Sequence, residues 1–150
     1  MTVTLRPATD SDRDPIAAIW HAGASLPGVG PPVMPGREEL RRRLDAEMAA
    51  GWQVTLAEIA GETVGFLAIH PAQRLLAELF LDPAHLHRGI GRLLLDHAKS
   101  AMPRGFSLFT TAANARARHF YEREGLVVAN AGRHPRAGHP VIWYEWRGIR

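Results

Sequence analysis

The side chains and backbone best suited to chemistry lie between residues 82 and 92, where the chain reads Asp82-Pro83-Ala84-His85-Leu86-His87-Arg88-Gly89-Ile90-Gly91-Arg92. Glycines let a backbone approach a ligand closely, successive N–H groups converge on an anion, and a helix starting here adds the partial positive charge of its N-terminus. Arg88 and Arg92 offer charge-assisted contacts besides. The run therefore reads as a cradle for phosphate groups. It is not a nucleotide site of the commoner kinds, because no Gly-Lys-Ser/Thr forms a P-loop and no third glycine completes a dinucleotide fingerprint. The 150 residues include no cysteine, so a thiolate nucleophile, a disulfide and a Cys-based metal site are excluded. His85-x-His87 supplies two imidazoles without a third ligand at a recognised spacing, and no metal is expected.

The apolar run Leu79-Phe80-Leu81 leads into Asp82-Pro83, and Leu93-Leu94 follows the glycines; downstream stand Asn114 and Phe120-Tyr121-Glu122-Arg123-Glu124-Gly125-Leu126. In this order and at this separation the two segments resemble the GNAT superfamily of N-acyltransferases, which move an acyl group from coenzyme A to an amine. The resemblance covers nearly the whole chain in element order. It implies acetyl-CoA as the acyl-donor cosubstrate. The backbone of Leu79, Phe80 and Leu81 would pair with the pantetheine arm as though it were an added strand. Leu86, His87, Arg88, Gly89, Ile90, Gly91 and Arg92 would hold the pyrophosphate, and Asn114 would touch the cofactor while also capping a helix. One position departs from the pattern: Leu86 stands where the family usually has Gln or Arg. Since that loop offers mainly backbone N–H groups, the departure should weaken rather than abolish binding.

The same resemblance makes Tyr121 a cofactor contact and the catalytic side chain, a phenol that supplies a proton or hydrogen bond to the leaving thiolate. Packing beside Phe120 at the end of a helix is its structural alternative. An alkyl ammonium, with pKa about 10.4, must lose a proton before it attacks. Some family members carry a Glu on the strand before the Asn position, but Leu108-Phe109-Thr110-Thr111 has none. Glu78 is the first candidate for the base, with a structural carboxylate paired to an arginine as the alternative; His70, His21 and His119 follow. With no cysteine, and no serine in a Gly-x-Ser-x-Gly elbow, direct attack in a ternary complex is expected rather than an acyl-enzyme. Trp20 and His21 are expected to border the acceptor site. The acceptor is a primary amine of a small molecule or peptide, and no motif specifies it. Residues 23–36 contain no acidic side chain, which disfavours a polycation and leans toward a small amine or amino-acid derivative. The rival reading is a catalytically weak or inactive coenzyme A binding module.

The elements that must position these residues alternate between strand-like and helix-like segments. Strands are expected at 3–6, 52–59, 63–70, 74–81, 106–110, from 126 and at 141–146, with a hairpin at Ala60-Gly61-Glu62. Helices are expected at 11–22, 37–50, 89–101 and 113–124, the second carrying Leu40, Leu44 and Met48 on one stripe. Residues 23–36, with four prolines and four glycines, are irregular and too long to be a mere connector. A second polar loop is expected at about 130–140. The fold class is α/β (α+β): a mixed, mostly antiparallel central sheet with a splayed strand pair, flanked by helices, in a single GNAT-like domain over residues 1–150.

Composition fits that reading, with 46% hydrophobic and 22% charged residues. The net charge of +3 is carried by the C-terminal third: residues 1–102 hold 10 Lys/Arg against 12 Asp/Glu, and residues 103–150 hold 8 against 3. Arg41-Arg42-Arg43 sits among acidic residues and reads as a salt-bridged helix face rather than a nucleic-acid contact. No nucleic-acid or membrane partner is expected, and the lack of an apolar leader suggests a cytoplasmic protein. Trp143, Tyr144 and Trp146 alternate along the last strand, where a contribution to the acceptor site or to a homodimer contact is left open.

Overall fold

In the computed structural model, which describes residues 2–149, the apolar periodicities resolve into a seven-stranded sheet with two helices on each face. The strands are β1 (Val3–Pro7), β2 (Gln53–Ile59), β3 (Glu62–His70), β4 (Leu75–Leu81), β5 (Phe106–Thr111), β6 (Val127–Arg133) and β7 (Pro140–Trp146). Their spatial order is β1-β2-β3-β4-β5-β7-β6. All neighbours are antiparallel except β4 and β5. Those two parallel strands pair only through Leu75 and Ser107, with Ser107 N donating to Arg74 O at 2.9 Å. Beyond that bond they diverge, so the mixed, mostly antiparallel sheet with one splayed pair is what the chain forms.

The helices α1 (Arg13–Ala24) and α2 (Arg37–Ala49) cover one face, and α3 (Ile90–Ala101) and α4 (Ala115–Arg123) the other. On α3, Ile90, Leu94, Leu95 and Ala98 form one fully buried stripe against Val64, Leu67 and Leu108 of the sheet. Across the sheet, Ile16, Trp20, Leu40 and Leu44 pack on Leu56, Phe66 and Ala68. The β2–β3 turn is tight because Ala60 (φ 51°) and Gly61 (φ 80°) both adopt the left-handed conformation that matches hairpin twist. Arg41 pairs with Asp14 and Asp45, and Arg43 with Glu39, so two of the three arginines of the basic run are salt-bridged as expected.

Three boundaries differ from the sequence expectation. A single helical turn over Asp10–Asp12 precedes α1, because the Asp12 carboxylate is engaged by Thr9 N at 2.7 Å and by two nitrogens of Arg6 at 2.8 Å. Gly89 and Asn114 cap α3 and α4 rather than opening them. The strand after Gly125 continues to Arg133, which shortens the expected loop to 134–139. All seven residues of β6 are exposed, and pairing with β7 alone defines the strand, so its side chains carry no periodic signal.

Candidate active site

The site is built around an irregularity in β4. Leu79 and Glu78 pair with Leu67 and Ala68, but Ile69 pairs with Leu76, leaving Ala77 as an extra residue. This bulge resets the alternation of the strand. Leu76 and Leu79, three residues apart, both pack on the α3/α4 side, while Ala77 and Phe80 both pack on the α1/α2 side. Glu78 belongs to neither cluster and lines the space opened by the splay. Its carboxylate makes no hydrogen bond or ion pair with any described residue. The arginine partner of a structural carboxylate is therefore missing, since nearby Arg43 is bonded to Glu39. Burial raises the Glu78 pKa to about 8, with Arg43 opposing the shift and Glu47 adding to it. The side chain keeps a partial opening to cavity water, yet protein surrounds it closely enough to make ionisation costly.

Past β4 the chain makes one helical turn, in which Ala84 N donates to Asp82 Oδ1 at 3.0 Å. It then reverses through His87 (φ 64°) and Gly89 (φ 80°) into α3. The left-handed backbone at Gly89 suits glycine. At Gly91 a Cβ would lie 3.6 Å from the Phe120 ring, so its absence keeps the floor between α3 and α4 open. Leu86, His87, Gly89, Gly91 and Arg92 line a cavity of about 460 Å³ whose other walls are Leu79, Phe80 and Leu81 of β4, the inner side of α4, and Gly23, Leu26 and Val29. The first three N–H groups of α3 have no acceptor within their own helix, as at any helix start. Arg92 also pairs with Glu124 at 3.4 Å. The Ile90 side chain is fully buried in the core, and Arg88 is exposed outside the lining.

On α4, Asn114 and Tyr121 reach both this helix-side cavity and a second one. Asn114 is the N-cap, its Oδ1 accepting from Ala117 N at 3.1 Å. Tyr121 is 7% exposed, and its ring packs against Phe120 and Tyr144 at centroid distances of 5.3 and 6.0 Å. The Tyr121 Oη nevertheless makes no hydrogen bond with a described residue. Burial, and the charge of nearby Glu78, push this phenol well above its ordinary pKa.

The second, loop-side cavity has a volume of about 510 Å³ and includes Glu78, Trp20, Phe80, Phe109, Arg43 and Arg136 in its walls. Trp20 serves core and cavity together: it is 7% exposed and its ring lies 5.9 Å from Trp52 and 6.3 Å from Phe66. His21 lines neither cavity. His119 lies on the helix-side cavity, while His70 Nε2 is 3.2 Å from Ala50 O, outside both linings. Trp143, Tyr144 and Trp146 are also outside both; Tyr144 is instead fully buried and donates to Glu122 at 2.6 Å. The irregular segment 25–36 is fastened over the loop-side cavity by Thr111 Oγ1, which donates to Val29 O at 2.6 Å and lies 3.1 Å from His139 Nε2. His134, Arg136 and His139, from the β6–β7 loop, are wall residues that motif reasoning missed. The polar His/Gly/Pro character of that loop was the only signal for them. Among the described residues, no group of three or more His, Cys, Asp or Glu side chains is placed to hold a metal ion, and no helix is long and apolar enough to cross a membrane.

A family model described as an acetyltransferase (GNAT) domain matches residues 50–127, a span that contains β4, the glycine loop, α3, Asn114 and Tyr121. Among solved structures, an acetyltransferase from Thermus thermophilus aligns with a TM-score of 0.78 at 23% identity, covering 97% of each chain. A GNAT superfamily phosphinothricin acetyltransferase from Sinorhizobium meliloti, in complex with acetyl-CoA, aligns with a TM-score of 0.77 at 18% identity, over 99% of this chain and 89% of that one. YncA from Salmonella typhimurium, with its cofactor acetyl-CoA, gives 0.72 at 17% identity, over 100% of this chain and 96% of that one. At these identities the likeness is one of fold. No curated protein sequence gives a significant match.

Proposed function

The chain belongs to the GNAT acetyltransferase family, and from that premise we propose that it transfers an acetyl group from acetyl-CoA to a primary amine by direct attack in a ternary complex. One observation carries this reading. Two cavities meet at Tyr121, and each of the two polar groups near that junction, Tyr121 Oη and the Glu78 carboxylate, has no partner among the described residues. Neither group is sealed from solvent; both open onto a cavity, where a substrate can complete their hydrogen bonding.

The residues on the helix side fit acetyl-CoA. The left-handed turns at His87 and Gly89, the bare position at Gly91 and the open N–H groups of α3 form a concave, donor-rich end for the pyrophosphate. Leu86, His87, Gly89, Gly91 and Arg92 would hold it from the cavity wall, with Arg88 and Ile90 contributing through their backbone alone. The free edge of β4 at Leu79, Phe80 and Leu81 offers main-chain groups to the pantetheine arm, and Asn114 closes the far wall. Bound there, acetyl-CoA supplies an acetyl thioester.

On the loop side Glu78 acts as the base. A carboxylate of pKa about 8 accepts a proton from an alkyl ammonium far more readily than an ordinary glutamate does, because its basicity lies nearer that of the amine. Tyr121 keeps its proton, since its pKa is raised. Full proton transfer to a thiolate from so weak an acid is uphill, so its role is hydrogen-bond donation from Oη to the departing sulfur; as the C–S bond breaks, the thiolate takes the second proton lost by the newly acylated nitrogen and leaves as thiol. Open N–H groups along β4 polarise the thioester carbonyl.

The reading of a coenzyme A binding module rests on the missing carboxylate of β5; Glu78 on the neighbouring strand supports transfer instead. Amine-dependent thiol release from acetyl-CoA across a small-amine panel, with mass spectrometry of the product, tests the proposal. An acetylated amine formed in step with thiol supports it. Bound acetyl-CoA that no amine discharges would overturn it.

A further inference from the structure

The loop-side cavity holds an acid and a guanidinium that the protein leaves unmatched. Of its two acids, Glu39 is bonded to Arg43, whereas Glu78 has no partner among the described residues. Of its two guanidinium groups, Arg43 is satisfied by Glu39, whereas Arg136, exposed at the cavity mouth, makes no ion pair with any described residue. The loop that carries Arg136 is rigidly made. His134 N donates to His139 O at 2.8 Å and Gly138 N to His134 O at 2.9 Å. The backbone N–H groups of Arg136 and Ala137 both donate to His134 Nδ1 at 3.1 Å. That assigns the proton of a neutral His134 ring to Nε2, a second donor in the cavity wall. The ring stacks on His139 at 4.9 Å, and His139 is tied to Thr111. Arg136 is thus presented from a fixed base, and burial first, then the electrostatic influence of His139 and Arg136, holds the His134 pKa down and keeps the ring neutral.

A cavity with one open acid and one open guanidinium complements a molecule carrying both charges. We infer that the acceptor is a small zwitterion, an amino acid or close analogue, whose carboxylate is met by Arg136 while its ammonium faces Glu78. This rests on the acetyl-transfer reading and names the substrate class for it. Apolar walls at Trp20, Phe80 and Phe109 leave room for a side chain. A polyamine would need several open acids, and the lining has one.

The test compares L-amino acids with their carboxamides and with the amines that lack the carboxyl group, by thiol release and by calorimetric titration of the acceptor alone. Wild-type protein should favour the free acids by about tenfold to a hundredfold in kcat/KM, the range of a charge-assisted hydrogen bond. Arg136→Met should bring the acids down to the level of their carboxamides mainly through KM, and Arg136→Lys should restore part of the preference. Amino-acid binding that weakens in Arg136→Met supports the inference even without turnover. Carboxamides acetylated as well as acids, or an Arg136→Met loss equal for both, would overturn it and leave acetyl transfer standing. Failure to bind acetyl-CoA, with no acceptor consumed, would instead overturn the parent reading.

Discussion

Replacing Glu78 by Gln keeps the size of the side chain and removes the base. With a pKa of about 8, the wild-type carboxylate is about 1% ionised at pH 6, about 10% at pH 7 and half ionised at pH 8. The acceptor's kcat/KM should therefore rise about tenfold per pH unit below 8 and level off above it. In Glu78→Gln the rate should fall by about a hundredfold to ten-thousandfold. The remaining pH dependence should follow the acceptor amine, whose pKa lies near 10. Acetyl-CoA affinity should hold, because Glu78 is outside the helix-side lining. Stability separates this from a structural role. The folded-state pKa is raised above the ordinary 4.5, so ionisation destabilises the fold progressively as pH rises from 4.5 to 8. Removing the charge should then stabilise the protein at pH 7, by at most about 3 kcal/mol. Initial rates of thiol release from pH 6 to 10, with thermal melts alongside, make the comparison. A limb with the same midpoint in wild type and variant, or a variant that keeps most of its rate while losing stability, would refute the assignment.

Tyr121→Phe removes an Oη that makes no hydrogen bond with a described residue, so melting temperature and acetyl-CoA affinity should change little while kcat falls by about tenfold to a hundredfold; steady-state kinetics beside calorimetry checks the split. Thr111→Val deletes the bond to Val29 O and loosens the segment over the loop-side cavity. Acceptor KM should rise about fivefold to tenfold, from roughly 1 kcal/mol of lost hydrogen bonding, with a smaller loss of acetyl-CoA affinity because Leu26 and Val29 also line the helix-side cavity. Asp12, whose carboxyl Arg6 holds below the usual range, contributes stability that is full above pH about 4 and lost as pH falls. Acid melts should therefore be flatter for Asp12→Asn than for wild type between pH 5 and pH 2.

The parts of this site written in contiguous residues were legible in the sequence. Gly89-Ile90-Gly91 with its flanking strand, Asn114 and Tyr121 lie within local motifs, and a local motif survives as a pattern along the chain. Glu78 was legible as a candidate only, because what distinguishes it from a paired surface carboxylate is the bulge at Ala77. That bulge is a property of the β3–β4 register and not of the local residues. Arg136 and His134 were not legible. They come to share a cavity with Glu78 across more than 50 residues of sequence, through a β6–β7 pairing whose seven exposed positions on β6 show no alternation. His21 illustrates the converse: one residue from Trp20 on α1, it lies outside both linings, because consecutive helix positions are about 100° apart.

Isothermal titration of acetyl-CoA into the wild-type protein and into a Gly89→Asp, Gly91→Asp variant tests the central claim most directly. An acidic residue at Gly91 in the first turn suits a helix N-terminus, whereas the left-handed backbone at Gly89 strains any side chain, so Gly91→Asp alone is titrated beside the double variant and circular dichroism verifies that both stay folded. Their carboxylates repel a pyrophosphate. One-to-one binding by the wild type that the folded variants lose is the predicted result. No binding by the wild type, or equal binding by wild type and variants, would contradict the account.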